Sequence, residues 1–183
     1  MRRYLLMLPL LLAVFAFAAC GDDSPEESAA TPTEAATETA TEAAKEPSSG
    51  DSGVKVSGKV GEKPKIEVSG GDPPSELVID DVKKGKGPKA KAGQNVSVNY
   101  SGVLFKDGSE FDNSFDRGEP FSFQLGGGMV IRGWDQGLEG MQVGGRRVLT
   151  IPPDLAYGAR GSGPIGPNET LVFVVDMENI TSP

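Results

Sequence analysis

The run Leu171–Met177, LVFVVDM, constrains this chain more than any other stretch. Six of its seven side chains are apolar. Successive side chains of a strand point to opposite faces, so a nearly unbroken apolar run marks a central strand buried on both faces. Other segments share the strand pattern but alternate. Val96, Val98 and Tyr100 fall on one face, and Phe121, Phe123 and Leu125 do the same with Ser122 and Gln124 turned outward. Leu77-Val78-Ile79 reads as a further strand, and 146–151 as another, stopped by Pro152-Pro153. The 25 glycines and 14 prolines suit a chain of many turns.

One segment has helical character. Over 133–139, Trp134 and Leu138 share a face, Asp135 suits a first turn and Gly140 a C-terminal cap. The expected fold is α+β: a twisted antiparallel sheet of about five strands wrapped on one short helix. It occupies 76–183, long enough to bury a core. Upstream, 54–75 carries Val54, Val56, Val60, Ile66 and Val68 among Lys, Gly and Pro. It is expected to form one or two short strands or an extended arm at the domain edge.

The N-terminal third has a different composition. Residues 1–19 read as a secretory signal, with Arg2 and Arg3 before an apolar run. Phe17-Ala18-Ala19-Cys20 resembles a bacterial lipobox, which would make Cys20, the only cysteine, a lipidation site carrying palmitate-type acyl chains. Ordinary cleavage after Ala18 is the alternative. Residues 20–53 are Ala, Thr, Glu, Ser and Pro with almost no large apolar side chain, an acidic disordered spacer. Between Gly21 and Ser52 lie nine acids and one base, whereas 17 acids and 15 bases follow. The acidity therefore belongs to the spacer, and no basic face suggests nucleic acid. The expected location is the extracytoplasmic face of the cell membrane, held by lipid on Cys20.

The chain has no histidine and one cysteine. Ser-His, Cys-His and zinc chemistry lack their usual residues, and no intramolecular disulfide can form. The ordered set Val98-Asn99-Tyr100-Ser101-Gly102, Phe111-Asp112-Asn113-Ser114, Pro120-Phe121-Ser122-Phe123, Val130-Ile131-Arg132-Gly133-Trp134, Ala156-Tyr157-Gly158 and Thr170-Leu171-Val172-Phe173 resembles the FKBP-type peptidyl-prolyl cis-trans isomerases. The resemblance covers about 77–180. Rotation about an X-Pro bond needs no nucleophile, metal or cofactor, so the residue inventory is compatible with it.

The resemblance implies a pocket. Trp134 would be its floor, with Tyr100, Phe111, Phe121, Val130, Ile165 and Phe173 around it. The Ile131 N–H and the Tyr157 hydroxyl would grip substrate carbonyls. Asp112 would lie beside the twisting amide, held by Tyr100 and Arg117. Taken singly, Trp134 reads as core, Asp112 as a turn residue and Tyr157 as a corner tyrosine. Phe123 is expected in the core. The glycine-rich stretch 158–167 would be a mobile flap over the pocket. The implied partners are proline-containing clients and macrolides of the rapamycin type, and the implied state is a monomer. The alternative function is a non-catalytic proline-segment-binding or chaperone module on a surface lipoprotein.

Overall fold

The structure, a computed structural model, describes residues 53–182. The signal segment 1–19, Cys20 and all of the spacer but its last residue lie outside the described residues. The described chain begins with a hairpin, β1 (Val54–Ser57) and β2 (Lys65–Val68). It continues through β3 (Val78–Lys83), β4 (Asn95–Leu104), β5 (Glu110–Asn113) and β6 (Phe121–Gln124). Helix α1 (Arg132–Gly137), β7 (Arg146–Ile151) and β8 (Leu171–Thr181) complete it. The main sheet has six strands in the order β3-β7-β8-β4-β5, with β6 also paired to β4. Every pairing is antiparallel. This is the expected fold class with one strand more. β5 has the sequence Glu-Phe-Asp-Asn, which carries no alternation. It forms because β4 supplies the ladder, with Gly102 opposite Asp112.

β8 lies between β7 and β4, and its apolar run divides cleanly between two cores. Leu171, Phe173, Val175 and Met177 join the core on the helix side, with Trp134, Leu138 and Leu149. Val172 and Val174 face the other way, with Val103, Phe105 and Val148. That second core is covered by Val54, Val56, Ile66 and Val68 of the hairpin. The segment 54–75, expected at the domain edge, is thus laid over the back of the sheet. It is what buries the second face of β8.

Asp176, the one polar residue of the β8 run, also faces the back. It sits opposite Arg146 in the ladder, and each residue is 1% exposed. Arg146 Nε and Nη2 donate to the two Asp176 carboxylate oxygens at 2.6 and 2.7 Å. The hairpin turn closes over this pair. The Gly61 N–H donates to Asp176 at 2.7 Å, and Arg146 donates to the Gly58 and Glu62 carbonyls at 3.2 and 2.7 Å. A buried ion pair needs such extra partners to satisfy its remaining groups.

On the front, α1 presses close to β7. A Cβ on Gly133 would stand 2.4 Å from a carbon of Ile151, and one on Gly137 2.6 Å from a carbon of Leu149. The helix covers 132–137 instead of the expected 133–139. Leu138 is its C-cap, and Arg147 donates to the freed Gly137 and Glu139 carbonyls. The Asp135 carboxylate accepts from the Gly126 and Gly128 N–H groups, tying the triple-glycine turn to the helix.

Candidate functional site

The concave front of the sheet and the start of α1 enclose a cleft of about 440 Å³. β4 contributes Tyr100, β5 Phe111 and Asp112, β6 Phe121, α1 Trp134 and β8 Phe173. The turn into the helix adds Met129, Val130 and Ile131. The connection from β7 to β8 adds Tyr157 and 162–165. Strand alternation explains much of this. Tyr100 and Phe173 point toward the helix side, and neighbours on the same strands point away.

Trp134 is 4% exposed and belongs both to the core and to the cleft lining. The two readings of this residue, floor and core, describe two sides of one ring. Tyr100 meets it edge-on at 5.1 Å and Phe173 at 5.2 Å, with Phe123 tilted beneath at 5.6 Å. Phe111 stands edge-on to Phe173 at 5.5 Å. Such edge contacts are favoured by the ring quadrupoles. Gly102 makes room for two of these walls, since a Cβ there would approach both the Phe111 and Phe173 rings to 2.8 Å. Phe123 is 3% exposed and in the core, as expected, while its strand neighbour Phe121 is 38% exposed at the rim.

One edge of the cleft is polar. The Tyr100 hydroxyl donates to one Asp112 oxygen at 2.5 Å, and Arg117 Nη1 donates to the other at 2.5 Å. Arg117 Nη2 donates to the Tyr100 hydroxyl at 2.7 Å, and the guanidinium lies 5.4 Å from the Tyr100 ring centre. Arg117 does not line the cleft; it holds the two groups that do. Burial, together with the hydrogen bond to Asp112, raises the Tyr100 hydroxyl above the usual tyrosine value. Burial and the nearby Asp112 charge do the same for Tyr157. Both hydroxyls therefore remain protonated at neutral pH. Neither the Tyr157 hydroxyl nor the Ile131 N–H hydrogen-bonds another described residue.

All the sequence-derived pocket residues except Arg117 thus come together here. Sequence reasoning missed Met129 as a lining residue, whereas Ser162, Gly163 and Pro164 belong to the 158–167 stretch expected over the pocket. Met129 follows three glycines and is 70% exposed, so no pattern marked it. Ser162 and Ile165 exchange two backbone hydrogen bonds of 2.9 Å each, closing a tight turn with Gly163 at φ 53°. Ile165 is buried under it.

The model of the FKBP-type peptidyl-prolyl cis-trans isomerase family matches residues 87–178. An FK506-binding protein of Streptomyces anulatus is 58% identical over 118 residues, covering 63% of this chain and 95% of that protein. The chain belongs to the FKBP-type peptidyl-prolyl cis-trans isomerases. A probable FK506-binding protein of Corynebacterium glutamicum is 51% identical over 116 residues, covering 63% of this chain and 97% of its own. Among solved structures, that of AtFKBP13 superposes with a TM-score of 0.55 at 40% identity, covering 60% of this chain and 96% of that one. FkpA from Escherichia coli also gives 0.55, at 48% identity, over 61% of this chain and 51% of its own. Every cleft residue of this isomerase lies inside the family match, whereas β1, β2 and β3 precede it.

Proposed function

We propose that this isomerase turns X-Pro bonds of exported proteins from a lipid anchor on Cys20, outside the cytoplasmic membrane. The isomerase lowers a barrier of about 18–20 kcal/mol that arises from amide resonance. Resonance separates charge in the planar amide, and twisting the bond removes that separation. A water-poor, aromatic-walled cleft therefore disfavours the planar ground state relative to the twisted one. In this reading the prolyl ring rests on Trp134 between Tyr100, Phe121 and Phe173. The Ile131 N–H and the Tyr157 hydroxyl donate to substrate carbonyls. Asp112 sits beside the amide, its position set by Tyr100 and Arg117. The observation that supports this most is the pairing of an apolar floor with one ordered carboxylate at its edge.

A protease-coupled assay on an X-Leu-Pro or X-Phe-Pro peptide tests it. Asp112→Ala and Tyr157→Phe should each lower kcat/KM without altering the melting temperature, and a rapamycin-type macrolide should inhibit. Unchanged rates in both variants would sink the assignment of these roles. The anchor has its own test. Detergent-phase partitioning of the full chain should vanish in Cys20→Ala; retained partitioning would sink the lipid anchor.

A further inference from the structure

The turn that leads from β1 to β2 contains Lys63, which points away from the buried ion pair beneath it. Its ammonium donates to Glu110 Oε1 at 3.1 Å and to Asp116 Oδ2 at 2.8 Å. The same two oxygens accept from a single amide nitrogen, Asn113 Nδ2, at 2.8 and 2.9 Å. The Asp116 N–H returns a bond of 2.8 Å to Asn113 Oδ1. Glu110 precedes Asp112 by two residues, and Asp116 immediately precedes Arg117. The four side chains therefore close the segment 110–117 at both ends, and that segment carries Asp112 and the guanidinium that holds it.

We propose that Lys63 is a positioning residue for the isomerase: from outside the family-matched region it sets the segment that aims Asp112 into the cleft. The proposal rests on the reading of Asp112 given above. Two carboxylate oxygens drawn to one neutral amide repel each other. Lys63 supplies the charge that lets them converge. Its own place is fixed from below, because the Glu62 carbonyl and the Gly61 N–H are held by Arg146 and Asp176. The Lys63 side chain is 39% exposed and those of Glu110 and Asp116 are 36% and 64% exposed. Such pairs contribute little to stability. The effect lies in geometry, where a shift of about 1 Å at a reacting group lowers rate markedly.

The test uses the full chain, an X-Leu-Pro peptide and thermal melting. Lys63→Met keeps the stem and removes the charge. It should lower kcat about threefold to tenfold, with KM within about twofold and little change in melting temperature. Lys63→Arg should restore most of the rate. Raising salt should bring the wild-type kcat down toward that of Lys63→Met, whose own rate stays flat. Val56→Ala, on the apolar face of the hairpin, is the comparison for simple loosening and should lower melting temperature while keeping kcat. If Lys63→Met keeps the wild-type kcat while Asp112→Ala loses it, this inference falls and the role of Asp112 stands. If Asp112→Ala is itself unimpaired, the role of Asp112 falls, and this inference with it. Equal loss of kcat in Lys63→Met, Lys63→Arg and Val56→Ala, tracking stability, would show a structural effect and overturn the proposal.

Discussion

Replacing Arg146 by Met removes one half of a pair in which both members are 1% exposed. Four hydrogen bonds disappear: two to Asp176, one to the Gly58 carbonyl and one to the Glu62 carbonyl. Adding the full value of each would overshoot, because water serves all these groups in the unfolded chain. The dominant loss is the Asp176 charge left in the sheet with the Gly61 N–H as its remaining partner. Breaking a buried pair from one side costs about 3–5 kcal/mol. For a domain of this size that corresponds to a fall in melting temperature of roughly 10–20 °C. Circular dichroism melting at neutral pH measures it. The double variant Arg146→Met/Asp176→Leu should recover much of the loss, because no uncompensated charge remains. A single variant melting within about 3 °C of wild type, or a double variant as unstable as the two single losses combined, would refute the reasoning.

Three further outcomes are expected. Phe123→Ala should lower stability by about 3–5 kcal/mol in denaturant titration, as for other buried aromatics. Gly102→Ala should displace the Phe111 and Phe173 rings that a Cβ would meet at 2.8 Å; the crowding costs about 1–3 kcal/mol, and isomerisation should slow because both rings are walls of the cleft. The raised Tyr100 and Tyr157 hydroxyls give a pH dependence of known sign. The folded state holds these protons more tightly than the unfolded one, so their contribution is complete below about pH 10 and is lost as pH rises through the folded values. Tyrosinate absorbance should therefore lag behind a free tyrosine titration, and a curve matching free tyrosine would contradict the burial.

Much of the fold was legible because alternation reports directly on burial. The β4 and β6 strands showed it, β8 declared burial on both faces by its nearly unbroken apolar run, and Trp134 with Leu138 marked the helix. Two parts were hidden for physical reasons. Three of the four β5 residues, Glu110, Asp112 and Asn113, are poor in strand propensity, and the strand is held by its neighbour and by side-chain bonds to Asn113. The hairpin's four apolar residues are too few to form a core of their own. Their place follows only from the back face of β8, which needed a cover. At the site, the aromatic walls and the flap came from ordered motifs, whereas Met129 belongs to no pattern. Asp176 was visible as the odd residue in an apolar run, and its meaning awaited Arg146 in the ladder.

Sheltering β8 on both sides has a consequence for how the cleft works. Phe173 lies in that strand opposite Gly102 of β4 on one side and Leu149 of β7 on the other, so its amide should be among the last to exchange with heavy water. The wall it forms cannot breathe separately from the whole domain. The part of the cleft that meets solvent is its perimeter, at Met129, Phe121 and 162–164. Wall and rim thus answer to different clocks: the first to global unfolding, the second to side-chain and loop motion many orders of magnitude faster.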